Sequence, residues 1–139
     1  MPLLFEEFVV LKPNMLMDRL SVSPELYDSL DSRYKGFKEH VLISAYYFSE
    51  NWPEWENHPK GDELVVLMSG RAEFKMKTSR GERSILLESP GEILIVPGNT
   101  WHTALINEPT SMLFITPGEG TLSGEPPVIE NLNHGIESR

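Results

Sequence analysis

Two histidines and two glutamates stand where strands could deliver them to one place. Glu56, His58 and Glu63 fall within Trp55-Glu56-Asn57-His58-Pro59-Lys60-Gly61-Asp62-Glu63, and His102 closes Pro97-Gly98-Asn99-Thr100-Trp101-His102. Two imidazoles with one or two carboxylates suit a divalent-metal site. No other segment offers comparable chemistry. No Gly-rich loop precedes a helix to cradle a phosphate, and no serine sits in a nucleophile elbow. Asp62 and Glu63 are adjacent, so on a strand only one of them enters a cavity.

The elements that must position these residues read as strands. Val41 to Phe48 is rich in β-branched and aromatic residues. Leu64 to Met68 is a continuous apolar run, which predicts a strand buried on both faces. Ser69-Gly70 marks a tight turn, after which Ala72, Phe74 and Met76 alternate with charged residues, the pattern of a half-buried strand. Further strands are predicted at Glu7 to Leu11, Arg83 to Leu87, Glu92 to Val96, His102 to Ile106 and Ser111 to Thr116, with Gly, Pro and Asn at the breaks. Short strands at this spacing predict an all-β sandwich or small barrel.

One helix is expected near the N-terminus. Ser23 suits the N-cap, Pro24 the first turn, and Glu25 and Asp28 the positive end of the dipole. Leu26, Leu30 and Tyr34 form one apolar face, and Gly36 ends the segment. From Pro117 onward the periodicity stops, and no ladder is expected there. Residues 1–37 therefore read as an N-terminal extension, 38–120 as the β core and 121–139 as a loosely held tail.

Composition narrows the function. The chain has 139 residues, one domain by length, and no cysteine, so disulfides, thiolate ligands and cysteine nucleophiles are excluded. A net charge of −9 opposes a phosphate backbone, and the basic residues near Lys75 are interleaved with acids. No nucleic-acid partner is expected. No apolar run is long enough to span a bilayer, and Met-Pro-Leu-Leu-Phe-Glu-Glu lacks the basic lead of a secretory signal. A cytoplasmic protein with no membrane partner is the expectation.

Strand parity gives the candidate ligands a common direction. Glu56 and His58 project the same way, Glu63 shares a face with Val65 and Leu67, and His102 with Ala104 and Ile106. The motifs themselves resemble those of the cupin superfamily. Glu56-x-His58-x4-Glu63-x6-Gly70 fits the second half of the first cupin motif, with Glu56 where that family has a histidine. Gly91-x5-Pro97-x-Asn99-x2-His102 fits the second motif, with Asn99 replacing a glycine and Asn107 one place late for the final asparagine. Trp55 to Glu63 and Phe114-Ile115-Thr116-Pro117-Gly118-Glu119-Gly120-Thr121 also resemble a bacterial cupin subgroup.

The resemblance implies an antiparallel jelly-roll barrel preceded by a short helix and an extension. It implies a metal held by His58, Glu63 and His102, with Glu56 as a fourth ligand or, unbound, as a catalytic general base. Mixed nitrogen and oxygen donors suit Fe, Mn, Ni, Co or Zn. Trp52, Met76 and Phe114 are the candidate substrate-binding residues, and parity turns Trp55 and Trp101 away from Trp52. His40 and His134 read as bystanders. The function expected is a metal-binding cupin acting on a small polar metabolite by oxygenase- or isomerase/lyase-like chemistry. A non-catalytic binding or sensing cupin is the alternative, and an interaction protein with a dead site is the third reading. The resemblance further implies a homodimer, paired through Leu64 to Met68 and Ala45 to Phe48.

Overall fold

The computed structural model describes residues 1–128. His134 and most of the expected tail lie outside the described residues. In chain order the elements are β1 (Glu7–Leu11), β2 (Met17–Ser21), α1 (Leu26–Arg33), β3 (Val41–Phe48), β4 (Trp55–Asn57), β5 (Glu63–Ser69), β6 (Ala72–Thr78), β7 (Gly81–Leu87), β8 (Ile93–Val96), β9 (His102–Leu105), β10 (Thr110–Pro117) and β11 (Leu122–Gly124). They form two antiparallel sheets, a six-stranded one in the order β2-β1-β3-β10-β5-β8 and a five-stranded one in the order β11-β4-β9-β6-β7. No helix among the described residues is long and apolar enough to cross a membrane.

Alternation along each strand sends one row inward. Val65 and Leu67 of β5, Phe74 and Met76 of β6, Val96 of β8, Ala104 of β9 and Met112 of β10 meet in one buried cluster drawn from both sheets. Phe74 is fully buried, and removing a side chain of that size from water contributes about 2–3 kcal/mol. A second cluster joins Phe8, Val10 and Leu42 to Leu26, Leu30 and Phe37 from α1 and its flank. Tyr46 packs against both clusters. The segment 1–37 thus adds two strands to the larger sheet and lays α1 beside it.

Four details differ from the sequence expectation. The run Leu64 to Met68 is not buried on both faces: Val65 and Leu67 are buried, Leu64 and Val66 half-buried, and Met68 exposed. A chain with one solvated sheet face needs no second buried row, so continuity of apolar residues overstated burial. The helix begins two residues later than its Ser23 signal. Glu25 is the N-cap residue, and no side chain caps it. At the other end Gly36 N–H donates to Asp31 O, closing a Schellman-type loop whose left-handed residue is Lys35 (φ 54°). Finally, β2 and β11 are strands where no ladder was expected. β11 pairs with β4 as Leu122↔Asn57 and Ser123↔Glu56, inside the stretch read as a tail.

Candidate metal centre

Backbone pairing sets the candidate ligands side by side. β4 meets β9 at the pair Glu56↔His102, and β9 meets β6 at Met76↔His102. Glu63 opens β5, opposite Val96 of β8. The loop between β4 and β5 is then tied to the loop before β9. Asn99 N–H donates to His58 O (2.9 Å), and Gly98 N–H donates to Asp62 Oδ1 (2.8 Å). A Cβ at Gly98 would stand 2.9 Å from Gly61 O, so only glycine allows this approach. Asn99 has φ 59°, a left-handed conformation that asparagine tolerates better than most residues, and so it can fill a glycine position.

The four side chains converge. His58 Nε2 lies 3.4 Å from Glu63 Oε2 and 3.6 Å from Glu56 Oε1, and His102 Nε2 lies 3.1 Å from Glu63 Oε1. Glu56, His58 and His102 each offer a ligand atom within 4.8 Å of the others'. His58, Glu63 and His102 are buried, while Glu56 keeps 39% of its side-chain exposure. Asp62 faces away to cap Gly98, as strand parity requires.

Hydrogen bonds on the far side of each imidazole fix its tautomer. His102 Nδ1–H donates to Thr100 O (3.0 Å). Thr121 donates its hydroxyl to Gly118 O (2.9 Å), which leaves Thr121 Oγ1 to accept from His58 Nδ1–H (2.9 Å). Both Nε2 atoms therefore carry lone pairs in the neutral rings. Thr116 donates to Glu63 Oε2 (2.6 Å) and orients that carboxylate. His58 Nε2, His102 Nε2 and Glu63 Oε1 are buried and have no hydrogen-bond partner among the described residues.

Lone pairs facing a carboxylate in a dry site repel one another, and a cation between them removes the conflict. A proton is one such cation. Burial pushes the His58 imidazolium down, but Glu56 and Glu63 outweigh it and raise its pKa to about 9. Burial likewise pushes Glu63 up, and the two histidines outweigh it and bring its carboxyl down to about 2. A divalent metal is the other. Two nitrogen donors with fixed tautomers and one or two carboxylates match its coordination chemistry and its charge.

A cavity of about 870 Å³ opens beside the cluster and is lined by His58, Glu56 and Glu63. Trp52 and Phe114 line it as well. Trp52 Nε1 is buried without an acceptor among the described residues. Met76 is not part of the cavity wall; it lies in the apolar core, behind His102 on the neighbouring strand. Trp55 turns to the outer surface, where Lys77 Nζ sits 4.8 Å from its ring centre. His40 is remote from the cluster, bonded through Nδ1 to Lys38 O and packed on Tyr34 and Phe37. Thr100, Thr116 and Thr121 orient the candidate ligands, and reading the sequence for ligand types passed over all three. Thr116 and Thr121 do stand in the subgroup-like run Phe114 to Thr121, the one sequence signal that pointed to them.

No protein-family profile matches the chain, and no curated protein does. Solved structures do resemble it. An oxalate oxidase is 16% identical over a match with TM-score 0.51 that covers 59% of this chain and 45% of that one. A cupin-2 domain protein from Shewanella frigidimarina gives TM-score 0.48, 19% identity and coverage of 55% and 70%. A cupin superfamily protein from Desulfitobacterium hafniense gives TM-score 0.46, 27% identity and coverage of 55% and 65%. The chain spans less than half the length of the oxalate oxidase. At 16% identity the likeness to the oxalate oxidase is one of fold alone.

Proposed function

We propose that the chain is a divalent-metal-binding cupin that acts on a small polar metabolite held in the cavity beside His58. The observation that carries this reading is the set of three buried, unpartnered atoms, His58 Nε2, His102 Nε2 and Glu63 Oε1, aimed at one another. His58, Glu63 and His102 would hold the ion, with Glu56 as a fourth ligand. Iron, manganese, nickel, cobalt and zinc all suit these donors. When bound, the metal supplies a Lewis acid for oxygenase- or isomerase/lyase-like chemistry. The protein's own part is to exclude water behind Trp52 and Phe114 and, where Glu56 does not ligate the ion, to offer it as a base. Its Oε1, at the partly exposed edge of the cluster, is placed to take a proton from a ligand in the cavity.

Metal analysis of stripped and reloaded protein tests the proposal. Uptake near one equivalent is expected, lost in His58→Ala. Protein that neither retains nor regains a transition metal would rule it out. Ligand-dependent stabilisation with no product would favour the non-catalytic binding or sensing role. The open cavity supports either of these over a filled, inactive site.

The outer face of the six-stranded sheet supports a second element of this proposal, a homodimer. Ile93, Val66 and Leu113 lie in one cross-strand row, and Ile95, Leu64, Ile115 and Ile43 in the next. Ile93 and Ile95 are each more than half exposed. A second copy laid on these rows would remove them from water. Light scattering should give a dimer for the wild type and a monomer for Ile95→Lys; a monomeric wild type removes this element.

A further inference from the structure

We infer that the ligand of this cavity is a small aromatic molecule without a carboxylate, and that a cationic amine on it strengthens binding. This deepens the reading of the cavity as the ligand chamber, and it rests on that part of the proposed function.

The wall is aromatic. Phe48, Trp52 and Phe114 touch one another edge-on or tilted, with centroid separations of 5.8, 5.9 and 6.1 Å. Tyr46 continues this wall at 6.1 Å from Phe114, and its hydroxyl bonds to that of Tyr27 on α1. All five rings line the cavity. Such a surface takes a planar ring by stacking and edge contact.

The charge is one-sided. Asp31, Glu50, Glu54, Glu56 and Glu63 line the cavity, and among its described lining residues there is neither lysine nor arginine. The chain has 12 such cations, so their absence here is a matter of placement. A divalent ion balances Glu56 and Glu63 and leaves no positive charge over. Asp31, Glu50 and Glu54 remain at the exposed rim without a counter-cation in the wall. A carboxylate entering this space would lose hydration and find no guanidinium or ammonium to replace it. It would also enter against the negative field of the rim. An ammonium meets the opposite conditions: ring faces attract it, and the rim carboxylates draw it in.

Three probes share one phenol ring and differ in the charge of the side arm: tyramine (cationic), tyrosol (neutral) and 4-hydroxyphenylacetate (anionic). Calorimetry on zinc-loaded and on metal-free protein reads their affinities. Tyramine should bind tightest, tyrosol next, and 4-hydroxyphenylacetate about tenfold or more below tyramine at low salt. The spread should shrink as salt rises. The double variant Glu50→Gln, Glu54→Gln should narrow the gap between tyramine and tyrosol. Tightest binding of 4-hydroxyphenylacetate overturns the inference. Stoichiometric zinc uptake with no binding of any probe also overturns it, while leaving the metal reading intact. No zinc uptake, with the ranking preserved in metal-free protein, sustains the inference and removes the metal reading instead.

Discussion

Two clusters of ionisable side chains sit on opposite faces of the five-stranded sheet and its neighbourhood, and they obey different rules. On the outside, Glu73, Lys75, Lys77 and Glu82 form a cross-strand ladder. Lys77 Nζ lies 2.9 Å from Glu82 Oε1, and Lys75 Nζ reaches Glu73 and Glu82 at 3.5 and 3.7 Å. On the inside, Glu56, His58, Glu63 and His102 lie just as close together, but three of their atoms are buried with no hydrogen-bond partner among the described residues. The outer ladder has a partner for every charge and is partly exposed to solvent, so each pair contributes roughly 0–1 kcal/mol. In the inner cluster His58, Glu63 and His102 are buried, and no lysine or arginine among the described residues pairs with its carboxylates. Similar distances carry different meaning: at the surface they describe solvated pairs, and among buried groups they describe a cluster that could hold a cation.

The largest break in this comparison should come from His102→Ala. It removes a fully buried donor from the inner cluster, and metal affinity measured by calorimetry should fall about hundredfold or more. Acidity sharpens the same contrast. Metal-free His58 titrates near 9, so below that pH an incoming metal displaces a proton. Apparent affinity should rise about tenfold per pH unit and flatten near pH 9. The sign for stability follows from the raised value. The His58 contribution is complete below an unfolded pKa of about 6.5 and is lost as pH climbs through 9, so metal-free protein should lose melting temperature across that window. An unchanged melting temperature from pH 6.5 to 9 would show that the carboxylates do not hold that proton.

A smaller effect is expected one step out from the ligands. Thr121→Val removes the acceptor of His58 Nδ1–H and should weaken metal binding about tenfold while the protein stays folded. The smallest belongs to the outer ladder. Lys77→Ala should change stability by about 0.5 kcal/mol or less in urea denaturation, with metal affinity untouched. A loss there as large as that at Thr121 would erase the distinction between the two clusters.

Much of the architecture was legible in the linear pattern. β1 and β3 have the bounds the sequence predicts, because β-branched and aromatic runs between Pro, Gly and Asn breaks leave little latitude. β2 was not legible: Met17-Asp-Arg-Leu-Ser buries Leu20 and leaves Met17 exposed, so its apolar content marks no face. It is a strand because β1 offers a free edge to pair with. β11 is three residues long and exists through its pairing with β4. Thr121 was hidden for the same reason, since a segment without periodicity gives no hint of the side chain it returns to.

Residue types and spacing alone determined which groups can bind a metal, which way each points along its strand, and that no thiol takes part. Only the tertiary structure decided that these groups meet. Parity fixes direction relative to one strand, whereas convergence depends on pairs such as Glu56↔His102, separated by dozens of residues and set by cross-strand hydrogen bonds and by the Gly61–Gly98 approach. The tautomers were decided there too, because Thr100 and Thr121 act through space on rings whose own sequence neighbours say nothing of where a proton rests.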